Sequence, residues 1–445
     1  MKWIKNLKIK IKDKKVILGI VGLGYVGLPL AFSFSEKFKV IGFDDNKEKI
    51  KKLKSGNIYI YDLDNNKINN DYLGLTDNFE KIEECDFIII CVPTPLKMDK
   101  TPDLSFVENS ASLIGKHLRK QQFVILESTT YPGTTNEILL PILEKESNLK
   151  VERDFGIAYS PERIDPGNKK FNINNTPKVI GSINSEFCDI AEVLYGEIIN
   201  EIVKVSNCET AEAVKILENV FRNVNIALIN ELAIIFREMK IDIWETIEAA
   251  KTKPYGFMPF YPGPGIGGHC IPLDPYYISY RAKQFGFIPR LIQTAGEIND
   301  YMPIHIVNLV QSGLDKFDKN IRGSNIAIFG IAYKPDIADT GESPSIKIIE
   351  ELKRRNAKVK IYDPLVKYVD TEFGKLYSEE KIEEIIKWAN CIVFTTAHKI
   401  FKDNIKKYID IINKKEGNSI IVDSINIINK RCFININKSI ILKSL

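Results

Sequence analysis

Six apolar residues, Val16 to Val21, run directly into Gly22-Leu23-Gly24-Tyr25-Val26-Gly27, and a second apolar run, Val40 to Phe43, ends at Asp44. No other stretch limits the fold so tightly. A strand, three glycines heading a helix, a second strand and an acid twenty-two residues past the first glycine describe a dinucleotide-binding βαβ unit. The glycines allow a tight turn and a close approach of the pyrophosphate, which rests on the helix N-terminus beside Tyr25 and Val26. Asp44 suits the ribose hydroxyls and repels a 2′-phosphate, so NAD is favoured over NADP; Asp45 could share that role.

Strand-like runs follow at Phe87 to Val92, Phe123 to Leu126, Phe155 to Ala158 and Lys178 to Ile180. Three of them lead into Pro93-Thr94-Pro95, Ser128-Thr129-Thr130 and Ser160-Pro161-Glu162-Arg163. Ligands of open α/β sheets lie at the carboxyl ends of strands, so Pro93, Thr94 and Thr129 are expected at the cofactor. Residues 208 to 239 contain no Gly or Pro and read as one long helix. Ala211, Val214, Leu217, Phe221, Val224 and Leu228 form its apolar stripe, while Lys215, Asn219, Arg222 and Asn223 share a polar face. The plain reading of that polar face is solvent exposure. The apolar character of the rest of the helix favours a central, buried element and a subunit interface. A second, similar unit then starts: strand Asn325 to Phe329, a turn at Gly330, helix Ser345 to Arg355, and strand Val359 to Tyr362 ending at Asp363. It lacks the full glycine fingerprint and is open to a different nucleotide, or none.

A chain of 445 residues exceeds one core. The expected fold class is α/β, two Rossmann-like doubly wound domains joined by a central long-helix domain, with boundaries 1–206, 207–317 and 318–445. Net charge is +4 with the signs evenly spread, so no nucleic-acid partner is implied. No apolar run reaches eighteen residues, so no membrane span is expected. The N-terminal MKWIKNLKIKIKDKK is lysine-rich without an apolar signal core; a solvated extension is expected, with a membrane-surface contact as the alternative. Seven cysteines with no CxxC and no metal-ligand spacing read as free thiols in a reducing, cytoplasmic compartment, with no metal site.

Cys270 stands inside GPGIGGHCIPLDP, Gly263 to Pro275. A thiol presented by glycines is a candidate nucleophile, against the ordinary reading of a buried cysteine as a small hydrophobe. An NAD site together with such a thiol suggests aldehyde-level oxidation: a thiohemiacetal, then a thioester, then an acid released by water. That route needs oxyanion donors, which Lys215 and Asn219 could supply, and a group for the water, Glu162 or Asp274. His269 adjoins Cys270, but neighbouring side chains in an extended loop point apart.

VGLGYVGLPLA (21 to 31), CVPTPL (91 to 96), ESTTYPGTT (127 to 135), AYSPERIDPG (158 to 167), the 211 to 231 helix, the Cys270 loop and GIAYKPD (330 to 336) together resemble the UDP-glucose/GDP-mannose dehydrogenase family over nearly the full length. The likeness is greatest to the branch that oxidises UDP-N-acetylhexosamines, with UDP-N-acetylglucosamine first, and its galacto epimer or UDP-glucose as alternatives. The resemblance implies a four-electron oxidation at C6 with two NAD reduced. It implies Cys270 as nucleophile, Lys215 and Asn219 at the oxyanion, Asp274 beside the thiol, Glu162 in thioester hydrolysis, and Thr130 near the cofactor and the reacting water. It assigns nucleotide-sugar contacts to Arg163, Arg222, Tyr255, Phe257, Gly263, Gly267 and Lys334, UDP to the C-terminal domain, and a homodimer to the long helix. Two departures stand out. Gly341 and the Val422–Asn426 stretch, including Ile425, occupy places where the family often has arginine, a bidentate donor for anions. Competing readings are a single-step hydroxyacid or 6-phosphogluconate-type dehydrogenase, and a non-catalytic sensor of NAD or UDP-sugar.

Overall fold

The structure is a computed structural model that describes residues 2–57, 68, 70–165, 167–168, 170–268, 271–428 and 440–445. The chain divides into two compact units, Met1–Asn219 with Tyr276–Ile288, and Val220–Pro275 with Pro289–Leu445.

The first unit begins with α1 (Lys2–Lys12), β1 (Ile17–Val21), α2 (Gly27–Ser35), β2 (Lys39–Phe43), α3 (Lys47–Lys54) and β3 (Leu73–Thr76). It continues through β4 (Phe87–Ile90), α4 (Ser105–His117), β5 (Phe123–Leu126), α5 (Leu140–Ser147) and β6 (Gly156–Tyr159). Then come β7 (Lys178–Ser182), α6 (Ser185–Tyr195), β8 (Ile202–Lys204) and the long α7 (Cys208–Glu238), which runs on into the second unit. The eight strands form one sheet in the order β3-β2-β1-β4-β5-β6-β7-β8, parallel except for the β6–β7 pair. Val21 of β1 pairs with Phe43 of β2 on one side and Ile90 of β4 on the other. The strand order reverses there, and such a switch point opens the ligand crevice of a doubly wound sheet. Both faces are covered: Phe87 and Ile89 enter one apolar cluster with α2 and α6, whereas Ile88 and Ile90 enter another with α4. That two-residue alternation with all four residues buried explains why the strand reads as an unbroken apolar run.

The N-terminus departs from the solvated extension expected for it. It is the helix α1, and Trp3, Ile4, Leu7 and Ile11 are buried in the core. Trp3 meets Phe187 of α6 with ring centroids 5.8 Å apart. Lys10 pairs with Asp86 at 2.9 Å. The apolar face that a membrane contact would need is turned into the protein.

The second unit holds α8 (Ile243–Ala250), the start of α9 (Asp274–Gln284), α10 (Arg290–Leu314), β9 (Asn325–Phe329), α11 (Pro344–Arg354) and β10 (Lys358–Tyr362). A hairpin of β11 (Tyr368–Thr371) and β12 (Gly374–Tyr377) follows, then α12 (Ile382–Trp388), β13 (Cys391–Phe394), α13 (Lys399–Asn413), β14 (Ser419–Asp423) and β15 (Ile440–Ser444). Its five-stranded sheet, β10-β9-β13-β14-β15, is parallel throughout. Ile326 and Ile328 pack toward α10 and α11, and Ala327 and Phe329 toward α12 and α13. Both Rossmann-like units expected from sequence are present. Among the described residues no helix is long and apolar enough to cross a membrane.

Candidate active site

The glycine turn after β1 is shaped by contacts that only glycine permits. Gly22 has φ +90°, and a Cβ there would stand 2.8 Å from the Cys91 carbonyl oxygen. A Cβ on Gly27 would stand 1.9 Å from the carbonyl oxygen of Gly22. Gly24 faces open space, with nothing within 4 Å of an added Cβ. No side chain caps the N-terminus of α2 at Val26. Asp44, at the end of β2, accepts from Leu23 N at 3.0 Å and from Lys49 Nζ at 2.7 Å on one oxygen, and from Asn46 N at 3.1 Å on the other. A carboxylate offers about four lone-pair positions, so Asp44 keeps acceptor capacity for a ribose hydroxyl. An open glycine, a helix start without a side-chain cap and an unsaturated acid fit a dinucleotide. Lys49 is a cation at this point that the sequence reading did not single out; its place one turn into α3 was the only signal.

Around that turn, Pro93 and Thr94 follow β4, where the Tyr277 hydroxyl donates to the Thr94 carbonyl. Ser128 Oγ ties the next loop to Val92 O at 2.7 Å. Thr129 is half-buried in that loop. Thr130 is fully buried, and its hydroxyl has no hydrogen-bond partner among the described residues. Lys215, buried on α7, donates from Nζ to the Glu162 carbonyl at 2.6 Å. The Glu162 carboxylate accepts from Ile164 N, and Asn219 is buried one turn beyond Lys215. Arg163 is held by Glu218 and by the Pro177 carbonyl, each at 2.6 Å. It therefore anchors its loop to α7, whatever contact it makes with substrate.

Behind that loop lies a buried group that sequence reasoning passed over. Lys178 Nζ sits 3.0 Å from Glu127 and 3.5 Å from the Pro161 carbonyl, and the Tyr195 hydroxyl also donates to Glu127. Glu127 opens the ESTTYPGTT motif and was legible as a charge at a strand end; Lys178 was hidden at the head of an apolar strand.

In the second unit the loop before Cys270 is pinned at both ends. Gly263 N donates to Asn230 Oδ1 at 3.0 Å, and Gly268 N donates to the Gly341 carbonyl at 2.9 Å. A Cβ on Gly267 would lie 2.6 Å from Tyr333 Cβ, so the loop backbone presses against that residue. Asn223 Nδ2 reaches the Ile271 carbonyl at 3.4 Å. Asp274 is buried and Lys334 half-buried; Arg222, Tyr255 and Phe257 are exposed. Lys253 Nζ lies 5.0 Å from the Tyr255 ring centroid. Cys270 and His269 lie outside the described residues. Cys85, Cys91, Cys188, Cys208 and Cys391 are free and buried. Burial raises all five thiols, Cys85 to about 12, so none of these is poised as a thiolate.

Part of α7 departs from the pattern of a surface helix. Lys215, Asn219 and Asn223 are buried, whereas Leu217, Phe221 and Leu228 are 69%, 47% and 50% exposed. The solvent-exposed reading of the polar face holds for Arg222 alone.

Family models match the chain in three consecutive stretches. Residues 16–199 match the NAD binding domain of the UDP-glucose/GDP-mannose dehydrogenase family, 209–301 its central domain, and 327–430 its UDP binding domain. The chain belongs to that family. It is a nucleotide-sugar dehydrogenase that uses NAD. It is 40% identical over 367 residues to the UDP-N-acetyl-D-glucosamine 6-dehydrogenase of Pseudomonas aeruginosa, covering 82% of this chain and 86% of the relative. It is 35% identical over 418 residues to a UDP-N-acetyl-D-mannosamine dehydrogenase of Pyrococcus horikoshii, covering 92% and 96%. Among solved structures, a UDP-D-ManNAc dehydrogenase from Pyrococcus horikoshii superposes with a TM-score of 0.87 at 33% identity, covering 96% of this chain and 98% of that one.

Proposed function

We propose that the chain oxidises the C6 alcohol of UDP-N-acetylglucosamine to the uronic acid in two successive steps. The observation that carries this reading is the Lys215 ammonium on the Glu162 carbonyl, with Asn219 buried one turn along the same helix. A cationic donor, an amide donor and a carboxylate-bearing loop held together are what formation and hydrolysis of a thioester require.

The chemistry NAD supplies when bound is hydride acceptance, at the alcohol and again at the sulfur adduct. Cys270, on its sequence position, adds its sulfur to the aldehyde carbon; the carbonyl electron pair moves to oxygen, where Lys215 and Asn219 meet the charge. Glu162 takes a proton from the water that attacks the thioester, and the Cys270 thiolate leaves as the acid forms. Asp274 stands four residues from the thiol in the sequence.

The 40% identity to the glucosamine enzyme supports the gluco substrate, while the mannosamine relative, matched over more of the chain, supports the C2 epimer as a second reading. The test is a panel of UDP-sugars with NAD, read by NADH absorbance and product mass. Two NADH per UDP-N-acetylglucosamine, with slower turnover of the mannosamine epimer, is the expected result. One NADH per sugar would overturn the two-step reaction, and preference for the mannosamine epimer would replace the substrate. The exposed Leu217, Phe221 and Leu228 of α7 support a homodimer, which light scattering would reveal as twice the chain mass. The five free buried thiols fit a cytoplasmic enzyme.

A further inference from the structure

Three buried asparagines of the second unit form a chain that ends on the loop bearing Cys270. Asn223 and Asn230 stand about two turns apart on one face of α7, and Asn299 stands on α10. The chain begins where the loop begins: Gly263 N donates to Asn230 Oδ1 at 3.0 Å. Asn230 Nδ2 donates to Asn299 Oδ1 at 2.9 Å, and Asn299 Nδ2 donates to the Asn223 carbonyl at 3.1 Å. Asn223 Nδ2 then donates to the Ile271 carbonyl at 3.4 Å. The chain thus returns to the same loop at the residue that follows Cys270. Asn223 Oδ1 is buried and has no hydrogen-bond partner among the described residues.

We propose that Asn223 is a positioning residue for the nucleophile: with Asn299 and Asn230 behind it, it holds Ile271 on α7 and so sets where Cys270 carries its sulfur. This rests on the reading of Cys270 as the group that adds to the aldehyde. Consecutive Cα atoms lie about 3.8 Å apart, so an anchor on Ile271 confines the residue before it. The loop needs such an anchor. Gly265 and Gly268 have φ +131° and +93°, and glycine loses more conformational freedom on ordering than any other residue. Asn223 stands one turn beyond Asn219 and two beyond Lys215, so the anchor lies on the helix face that carries the proposed oxyanion donors. A leucine would fill the Asn223 site with nearly the same shape and no orphaned oxygen, so packing does not account for the amide. Among the described residues the target of its Nδ2 is the neighbour of Cys270.

The two oxidations make different demands on the thiol. The first moves a hydride from C6 to NAD and the hydroxyl proton to a base, and forms no bond to sulfur. The second needs the C–S bond, with the aldehyde electron pair moved to oxygen, before a hydride leaves C6 for a second NAD. A misplaced sulfur therefore slows the second oxidation and spares the first. The test is a single turnover, with the full chain in excess over the UDP-sugar it turns over best, saturating NAD, and NADH absorbance followed by stopped flow. Asn223→Leu should form the first NADH within about threefold of the wild-type rate and the second roughly 10- to 100-fold more slowly, the range of an ångström-scale misplacement. Asn299→Asp keeps the acceptor for Asn230 and loses the donor to Asn223. It should slow the second phase by less, and it carries the test where Asn223→Leu does not fold. In Cys270→Ser the second NADH should be absent, and adding Asn223→Leu should leave the first unchanged. A residue that only supports the fold would lower the melting temperature and slow both phases or neither. A wild-type second phase in folded Asn223→Leu, or in Asn299→Asp where Asn223→Leu does not fold, with the second NADH absent from Cys270→Ser, would overturn the proposal alone. Equal slowing of both phases would do the same. A second NADH at the wild-type rate from Cys270→Ser would instead remove Cys270 from the mechanism, and the proposal with it. One NADH per sugar from the wild type would sink the two-step reading itself.

Discussion

Replacing Lys178 by methionine keeps the aliphatic stem and deletes one charge of a buried pair. Lys178 Nζ lies 3.0 Å from Glu127 Oε2, with side chains 6% and 0% exposed. Burial pushes the Glu127 carboxyl up. Burial alone would lower Lys178, but the carboxylates of Glu127 and Glu162 outweigh it and hold the ammonium charged. At an effective dielectric constant of 20, charges at this separation attract by about 5 kcal/mol. Removing one member of a buried pair costs about 3–5 kcal/mol, because the survivor stays desolvated. With about 2–4 °C lost per kcal/mol in a unit of this size, the first unit should melt roughly 10 °C lower. The sign of the pH dependence follows from linkage. Without Lys178 the folded Glu127 titrates still further above its unfolded value. An acid raised in this way costs nothing below its unfolded pKa, and stability is lost as pH rises toward the folded value. The deficit should therefore be larger at about pH 8 than at about pH 5, in melting curves followed by circular dichroism. The Glu127→Gln/Lys178→Met double variant, with neither charge, should recover most of the loss. A single variant melting within about 1 °C of the wild type at pH 8, or a double variant no better than the single, would refute the reasoning.

Asp44→Ala removes the acceptor at the end of β2 and frees Lys49; NAD should bind about 10- to 100-fold more weakly, with discrimination against NADP relaxed, and titration calorimetry with both cofactors checks it. Unchanged kinetics with both would contradict the ribose contact. Cys270→Ser should abolish acid formation while sparing UDP-sugar binding, measured by product mass spectrometry and equilibrium titration; wild-type acid output would remove Cys270 from the mechanism.

What could be read from the sequence was whatever rests on local pattern. Strand β9 spans Asn325–Phe329, as expected, and α7 spans Cys208–Glu238 where a helix over 208 to 239 was read, because long uninterrupted periodicity leaves few alternatives. Strand β5 also spans Phe123–Leu126 as expected, the other expected strands of the first unit shift by one or two residues at their ends, where hydrogen bonding decides and composition does not, and β3 and β8 were not expected. The N-terminal helix was missed because its lysines, read as a solvated stretch, hide the helical spacing of its buried face, Trp3, Ile4, Leu7 and Ile11. Which face of α7 meets solvent was left open by the sequence for a tertiary reason. Periodicity fixes two faces of a helix without saying which one meets solvent. The pairing of Glu127 with Lys178 was out of reach for the same cause: the two lie 51 residues apart along the chain.

The two Rossmann-like units end their second strands with an acid each, and geometry gives the two acids different work. Asp363 accepts from Ile331 N at 2.6 Å and from Ala332 N at 3.0 Å on one oxygen, and from Leu365 N and Val366 N on the other. His398 takes the Asp336 N–H on Nδ1, so its ring carries the proton on Nε2 and donates it to Asp363 at 3.0 Å. Five donors meet about four lone-pair positions. Burial works to raise Asp363, yet the His398 and backbone hydrogen bonds hold it below the ordinary carboxylate range. Asp44 has three donors, one of them the mobile end of Lys49. A saturated carboxylate cannot take a ribose hydroxyl without releasing a backbone N–H into a buried turn, at a cost of about 1–3 kcal/mol. The same strand-acid signal thus leaves a carboxylate with room for a ribose hydroxyl in the first unit and a turn lock in the second, and the difference lies in how many donors the fold has already aimed at it.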